Sequence, residues 1–358
     1  MGGPGCASSS SSSNAISRAN FWSAFLGVLA ALVCVILFAV VYMSDDGKTM
    51  MLLSRKTQSY LLWYQDGQSS APDVSTLKAS LAEVAFRNKT VILTTLNKSW
   101  ADNDSMVDAF FQSFRLGDGT RGLLDHLLIV NLDQASHTRC LQLHRHCFKL
   151  ATDGVDFTGE KVFMSSDYLK MMWRRVEFLH IVLKLGYNFV FTDADIMWFR
   201  DPFQHFSPEA DFEIACDRFN GNPEDLRNDP NGGFIHAISS PRTIALYKLW
   251  YESRLKHPNH HDQDVFNDIK HSPQFKALKL KVRFLDTRYY GGFCQISRDF
   301  DEVCTIHANC CTKLERKLVD LKLVLEDWNR YRHLSSQESR EVRMFWRAPR
   351  ECLHSFGH

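Results

Sequence analysis

Apolar and polar positions alternate along the middle of the chain in blocks that predict helices and strands in turn. The segments TVILTTLN (90–97) and HLLIVNLD (126–133) are short and rich in apolar residues, as expected of strands buried in a parallel sheet. Residues 105–114, between them, have helical spacing, and another helical stretch (77–86) precedes the first strand. The pattern therefore predicts that the folded region opens with a β-α-β unit.

The same alternation continues toward the C-terminus. Residues 167–186 have the spacing of a long helix that ends at Gly186, and residues 187–195 follow as an apolar strand. The later predicted elements are strands at 212–217 and 232–239, a helix at 241–255 and a strand at 281–286. Helices that alternate with buried strands predict an α/β fold, with a mostly parallel Rossmann-type sheet flanked by helices. Ligands of such sheets bind beyond the carboxyl ends of the strands.

One segment departs from this alternation. Residues 21–43 form 23 consecutive uncharged positions, which is enough to span a bilayer core of about 30 Å. A cleaved signal peptide would have a shorter apolar region of about 7–15 residues and a small-residue cleavage site, which this run lacks. We therefore predict one transmembrane signal anchor. Arg18 before the span, with Asp45 and Asp46 after it, favours a cytosolic N-terminus.

The anchor divides the chain into unequal parts. Residues 1–20 are interpreted as a Ser-rich cytosolic tail, 44–80 as a lumenal stem and 81–330 as the catalytic domain. Residues 331–358 are rich in Arg, Ser and Glu and are interpreted as a loosely held C-terminal tail. The formal net charge of +1 provides no global field toward nucleic acid, so no nucleic-acid partner is expected.

Two further features agree with a lumenal body. Asn88, Asn97 and Asn103 begin glycosylation sequons. Eight of the ten cysteines follow the anchor, where disulfides persist, and their spacing matches no zinc motif. A local Cys140–Cys147 disulfide is expected, and the other pairings stay open.

The main candidate for chemistry is Asp193-Ala194-Asp195 at the end of an apolar predicted strand. Strand alternation would place the two carboxylates on one face, where both approach one hard cation, Mn²⁺ or Mg²⁺, bridged to a diphosphate. Asp-x-Asp is also common in turns and caps, and a phosphatase of the haloacid-dehalogenase type has a similar acid pair. Met197 stands where such phosphatases have Thr or Val.

The segment GYNFVFTDADIMWFRDPF (186–203) resembles the signature of glycosyltransferase family 77, the plant nucleotide-diphospho-sugar transferases with a GT-A fold. DQDVFN (262–267), FLDTRYYGGFC (284–294) and IHANCC (306–311) extend the resemblance. It implies a single-pass type II Golgi membrane protein that uses Mn²⁺. It also implies retaining transfer of arabinosyl, xylosyl or galactosyl units to cell-wall polysaccharides or glycoproteins.

The resemblance also implies roles for individual residues. His307 would be the third metal ligand, although a core histidine is the alternative. Gln263 and Asp264 would be catalytic on the sugar face and Asp262 would hold sugar hydroxyls, unless this acidic run only caps a helix. The remaining donor-binding candidates are Asp193 and Ala194 themselves, Arg175 at the diphosphate, Asn231 and Gly232 at the sugar, and Thr94, Thr95 and Leu96 at the base.

His260 and His261 are expected on a solvated loop, without a metal. Two functional classes remain. The first is an active α-glycosyltransferase that uses a nucleotide-sugar, with UDP as the expected nucleotide, and that forms complexes with other Golgi transferases. The second is a catalytically silent lumenal scaffold with the same fold.

Overall fold

The computed structural model describes residues 73–150, 152, 155–334 and 344–355. The expected cytosolic tail, the anchor at 21–43 and all of the stem before residue 73 lie outside these residues. Within the described ranges, no helix combines the length and the apolar composition that crossing a membrane requires.

A seven-stranded sheet forms the centre of the domain, in the order β3-β2-β1-β4-β7-β6-β8. β1 pairs in parallel with β2 and β4, β2 with β3, and β6 with β8, whereas β7 runs antiparallel to β4 and β6. The mostly parallel sheet predicted from the sequence is therefore confirmed. Its strands are β1 (Thr90–Leu96), β2 (Leu127–Asn131), β3 (Cys147–Lys149), β4 (Asn188–Thr192), β6 (Phe212–Arg218), β7 (Asp229–Ala237) and β8 (Val282–Phe284).

Helices cover both faces of this sheet, and side-chain caps fix where several of them begin. The helix Ser166–Lys184 starts after Ser165, whose hydroxyl accepts the Tyr168 N–H, and the chain leaves the helix through Gly186, which has φ +82°. The helices are α1 (Val74–Val84), α2 (Lys98–Ala101), α3 (Met106–Leu116), α4 (Gln134–Leu143), α5 (Ser166–Lys184), α6 (Pro241–Ser253), α7 (Asp262–Ile269), α8 (Pro273–Ala277) and α9 (Leu314–Arg332). Short 3₁₀ turns lie at Arg121–His126, Pro202–His205 and Cys352–His354.

Alternate residues of the central strands belong to two separate cores. Ile92 packs on the side of α3 and α9, and its neighbour Val91 packs on the side of α1, α5 and α6. This division follows from the period of two in a strand. Both faces of β1 and β4 are thereby largely dry, which agrees with the apolar residues at their centres, 91–93 and 189–191.

A second sheet of three short strands lies beside the end of β4. Its order is β5 (Ile196–Trp198), β10 (Thr305–His307) and β9 (Tyr290–Gly292). β5 follows β4 after a tight turn, and β10 pairs antiparallel with β5 so that His307 lies opposite Ile196. This pairing brings a late segment of the chain against the turn that carries the two aspartates.

The C-terminal residues 344–355 do not form the loosely held tail expected from their composition. Asp320, fully buried on α9, accepts backbone N–H groups of Arg350 and Cys352 at 2.9 and 2.8 Å. Cys352 also forms a disulfide with Cys311. The polar composition misled the prediction because polar groups of this segment pair with buried acids of α9: Arg347 donates to Asp327 through its backbone N–H at 2.7 Å and through its Nε at 2.6 Å.

Disulfides fasten the described part of the chain at three places. The predicted Cys140–Cys147 bond is confirmed, and Cys294–Cys310 and Cys311–Cys352 are added. The adjacent cysteines 310 and 311 thus join the segment after His307 to two different regions. Cys216 and Cys304 are buried free thiols.

The three sequons have unequal surroundings. Asn88 and Asn103 are exposed, whereas Asn97 is buried and its Nδ2 donates to the carbonyls of Phe157 and Gly159 at 3.0 and 3.1 Å. A glycan on Asn97 would have to displace both hydrogen bonds. The fold therefore disfavours Asn97 as a glycosylation site, and Asn88 and Asn103 are the better candidates.

Candidate active site

Two adjoining cavities of about 130 and 200 Å³ form a cleft beyond the carboxyl ends of β1 and β4. Both are lined by Tyr168, Met172, Arg175, Asp193 and Lys317. This position is the one expected for a ligand of a parallel sheet. A larger cavity of about 790 Å³ lies elsewhere, near β8, among charged surface residues.

The two aspartates lie on a tight turn between β4 and β5. The predicted strand 187–195 ends at Thr192, and the Ile196 N–H donates to the Asp193 carbonyl at 3.2 Å. Strand alternation is therefore not what brings the carboxylates together. The turn does so, and it leaves Ala194 buried between them as part of the cleft wall.

Each aspartate divides its two oxygens between a cationic side chain and His307. Asp193 Oδ1 accepts from Arg175 at 2.9 Å, and Asp193 Oδ2 lies 3.9 Å from His307 Nε2. Asp195 Oδ2 accepts from Lys317 at 2.6 Å, and Asp195 Oδ1 lies 3.2 Å from His307 Nε2. One oxygen of each acid and one imidazole nitrogen thus face the same point.

These three atoms fit the donor set of a divalent cation such as Mn²⁺. Asp195 Oδ1 is buried and has no hydrogen-bond partner among the described residues, although a buried carboxylate oxygen normally has one. The ligand atoms of Asp193, Asp195 and His307 all lie within 4.8 Å of one another. Carboxylate oxygens with one imidazole suit Mn²⁺ better than a softer ion.

The charges around the acids differ, and their pKa values move apart. Burial raises the pKa of Asp193, and Arg175 opposes this only in part. For Asp195 burial acts in the same direction, but Lys317 and then His307 outweigh it and hold the pKa well below its ordinary value. Asp195 therefore stays ionised, as a metal ligand must be.

Arg175 connects the acid turn to the start of α7. Its Nη2 donates to Asp262 Oδ2 at 2.6 Å while Nη1 contacts Asp193. Although burial opposes ionisation of Asp262, Arg175 lowers the pKa of this acid to about 2. Asp262 is thus an anchor for Arg175, with its carbonyl accepting the Trp250 indole N–H at 2.7 Å.

A network of amides lies on the other side of the cleft. Gln263 Oε1 accepts the Gly232 N–H at 3.1 Å, and Gln263 Nε2 donates to Asp217 Oδ2 at 2.9 Å. Asp217 Oδ1 accepts from the side-chain amides of Asn231 and Asn309 at 2.7 and 2.8 Å. Polar groups held so rigidly suit recognition of sugar hydroxyls.

Several predicted site residues lie elsewhere. Asp264 does not line the cleft, and its half-exposed carboxylate lies 3.4 Å from His261 Nε2. Thr94 and Leu96 are buried beneath the cleft, and only Thr95 of that group lines it. The prediction grouped neighbours whose side chains alternate between the two faces of β1.

His261 was predicted to lie on a solvated loop, but it lines the cleft. Its Nδ1 accepts the Gln263 N–H at 3.2 Å, so this residue caps the start of α7. His260, by contrast, is exposed as expected.

The site residues missed from the sequence include Asp217, Asn309 and Lys317, which make its charged and amide contacts. Asp217 lies near the carboxyl end of β6, much as Asp193 comes directly after β4, so that signal was present. Asn309 stands two residues after His307, within the IHANCC motif. Lys317 lies in the first turn of α9, in a segment with no motif of its own, and only the tertiary packing of this helix brings it to Asp195.

The sequence is similar to those of known proteins. A family model described as nucleotide-diphospho-sugar transferase matches residues 122–321. Two Arabidopsis thaliana relatives, Uncharacterized protein At4g15970 and Uncharacterized protein At1g28695, are 48% and 43% identical to the chain. These alignments cover 78% and 74% of the chain and 74% and 82% of the relatives. Arabinosyltransferase RRA1 of Arabidopsis thaliana is 26% identical over 52% of the chain and 44% of its own length.

Proposed function

The chain belongs to the nucleotide-diphospho-sugar transferase family of glycosyltransferases, and from this premise we propose that it is an active, metal-dependent, retaining enzyme. The donor is a nucleotide-sugar, with UDP as the nucleotide. The product is an α-linked arabinosyl, xylosyl or galactosyl unit on a cell-wall polysaccharide or glycoprotein. The relative named arabinosyltransferase supports a pentose donor in particular.

The observation that carries the proposal is the convergence of Asp193, Asp195 and His307 on one point, with Asp195 Oδ1 unpartnered. These residues would hold Mn²⁺. Bound there, the cation would neutralise charge on the departing nucleoside diphosphate. A silent scaffold has no physical need for three ligands arranged in this way, which favours the active enzyme.

Two cationic side chains complete the diphosphate side of the cleft. Arg175 is buried and Lys317 is mostly buried, with 7% and 15% of their side chains exposed, and each is held by one of the proposed metal-binding acids. Because the acids fix them, they need little reorganisation when negative charge arrives. We assign them to the phosphate oxygens of the donor.

The amide network forms the sugar side. Gln263 and Asn231 would hydrogen-bond the donor sugar, and Asp217 would position both of them. We give Asp217 a positioning role, and not that of a nucleophile or general base, because both of its oxygens accept hydrogen bonds from amides. This supports front-face transfer. In that reaction the sugar–phosphate bond breaks, the acceptor oxygen bonds to the anomeric carbon on the same face, and its proton passes to a phosphate oxygen.

The proposed location is the Golgi lumen, with residues 21–43 as a type II anchor. The uncharged span supports an anchor. The disulfides support an oxidising compartment. Protease treatment of sealed Golgi vesicles tests the topology, because a C-terminal tag should be protected until detergent is added. A tag digested without detergent would contradict it.

The proposal is tested by screening nucleotide-sugars for hydrolysis by the purified chain, with Mn²⁺ and with a chelator. We expect one donor to be hydrolysed, only with the metal, and the Asp193→Asn variant to be inactive. Folded protein with no turnover of any donor would favour the scaffold. Equal turnover in the chelator would remove the metal from the mechanism.

A further inference from the structure

A second group of potential metal ligands lies outside the cleft, between α6 and the end of α7. His257 and His260 belong to the loop that joins these helices, and Asp268 lies in the last turn of α7. Their side chains are 30%, 49% and 47% exposed. Among the described residues, this group and the cleft acids are the two that bring three such ligand atoms together.

The two imidazoles converge on a single carboxylate oxygen. Nδ1 of His257 lies 3.3 Å from Asp268 Oδ2, and Nδ1 of His260 lies 3.6 Å from the same atom. Both separations exceed the 2.7–3.2 Å of an ordinary N–H···O hydrogen bond. They match the spacing of about 3.3 Å between ligands of a tetrahedral ion whose bonds are about 2.0–2.1 Å long.

The loop prearranges this geometry. The His260 N–H donates to the His257 carbonyl at 3.1 Å, which closes a turn, and the two rings lie side by side with centroids 5.4 Å apart. Asp268 is supplied by a helix, so its position does not depend on the loop. Little order would have to be created when an ion binds.

We propose that His257, His260 and Asp268 bind one divalent transition-metal ion of the zinc class, with water completing the coordination. Two imidazoles and one carboxylate favour Zn²⁺, Ni²⁺ or Cu²⁺ over Mg²⁺ or Ca²⁺. The ion would tie the loop to α7. His261, which follows the ligand His260, caps α7 by accepting the Gln263 N–H. The bound ion would therefore stabilise the segment that presents Asp262 and Gln263 to the cleft.

Zn²⁺ is the probe that tests the site, with the cleft disabled by Asp195→Asn so that it does not contribute. Equilibrium dialysis of the full chain should give one bound zinc in Asp195→Asn. Adding His257→Gln and His260→Gln should weaken binding by about tenfold or more. Adding Asp268→Asn, which replaces the carboxylate with an amide of nearly the same size, should weaken zinc binding to a similar extent. Adding His271→Gln, at an exposed histidine outside the group, should leave zinc binding unchanged.

Thermal unfolding provides a second measurement on the same proteins. Zinc should raise the midpoint of Asp195→Asn and of its His271→Gln derivative, but not of the ligand variants, because an ion that binds only the folded state stabilises it. Zinc binding that is unchanged when both histidines are replaced would overturn the proposal. So would the absence of stoichiometric zinc from folded Asp195→Asn protein.

Discussion

Lys317 Nζ lies 2.6 Å from Asp195 Oδ2, although the two residues are 122 positions apart in the chain. The pair is buried, with 15% and 1% of the side chains exposed. A cationic side chain therefore compensates one oxygen of the acid whose other oxygen faces His307. The site keeps Asp195 ionised before any cation or donor arrives.

Replacing Lys317 should make the stability of the folded protein depend on Mn²⁺. Lys317→Met leaves the buried Asp195 charge unpaired, which typically costs about 3–5 kcal/mol of unfolding free energy. Mn²⁺ should raise the unfolding free energy of Lys317→Met by more than it raises that of the wild type. Denaturant unfolding with and without Mn²⁺ measures both effects, with the exposed Lys322→Met on the same helix as control. Equal stabilisation of both variants by Mn²⁺ would contradict the expected role.

Gly233 should tolerate no side chain. A Cβ at this position would lie 2.5 Å from His307 Cε1 and 2.7 Å from Asp193 Oδ2, so Gly233→Ala must displace metal ligands. We expect Mn²⁺ affinity to fall by about tenfold or more. Gly232→Ala is the control, because its Cβ would meet Arg175 and Asp262 only at 3.5 Å, an ordinary contact distance. Calorimetric titration with Mn²⁺ checks this, and equal affinities would remove the crowding argument.

Gln263 should act in the transition state more than in donor binding. Gln263→Ala is expected to lower kcat by about 10²–10³, the effect typical of losing one stabilising donor, with a smaller change in donor affinity. Asp264→Asn, one residue further along α7, should remain near wild type because its side chain does not line the cleft. Steady-state kinetics with the hydrolysed donor gives both constants. A purely structural Gln263 would cost stability and leave turnover per folded molecule unchanged.

The Cys294–Cys310 disulfide should matter for activity as well as stability. It closes a loop of sequence separation 16 that contains His307, and its loss should cost about 3 kcal/mol. The Cys294→Ser/Cys310→Ser protein should also bind Mn²⁺ less tightly. Cys140→Ser/Cys147→Ser removes a bond away from the cleft and should lower stability alone. If both double variants bind Mn²⁺ as tightly as the wild type does, the expected role of the Cys294–Cys310 disulfide in the cation site is contradicted.

The strands, and the position of Asp193 and Asp195 at the end of β4, could be predicted from the sequence because both depend on local pattern. β1, β2 and β4 are each centred on a short apolar run, and because these strands are parallel, their carboxyl ends meet at the edge of the sheet where Asp193 and Asp195 follow β4. Asp193 and Asp195 do bring carboxylate oxygens close together, but the predicted strand alternation was wrong, because a turn after β4 carries both residues.

Where the predictions failed, the reason was orientation or distance along the chain. Asp262 and Asp264 lie on a helix, where residues two apart point to nearly opposite sides, so only Asp262 faces the cleft. Lys317 reaches Asp195 through the packing of α9, which no local pattern encodes. Asp217 carried the same strand-end signal as Asp193, but it lacked a second acid beside it.

Binding of UDP to the wild type and to Asp195→Asn, titrated calorimetrically with Mn²⁺ and with a chelator, tests the metal-dependent site most directly. The substitution preserves the size of the side chain, and circular dichroism verifies that the variant is folded. We expect UDP to bind the wild type only when Mn²⁺ is present, and Asp195→Asn to lose this binding. UDP affinity that is equal in the chelator, or unchanged in the folded variant, would contradict the assignment of Asp193, Asp195 and His307 as the cation site.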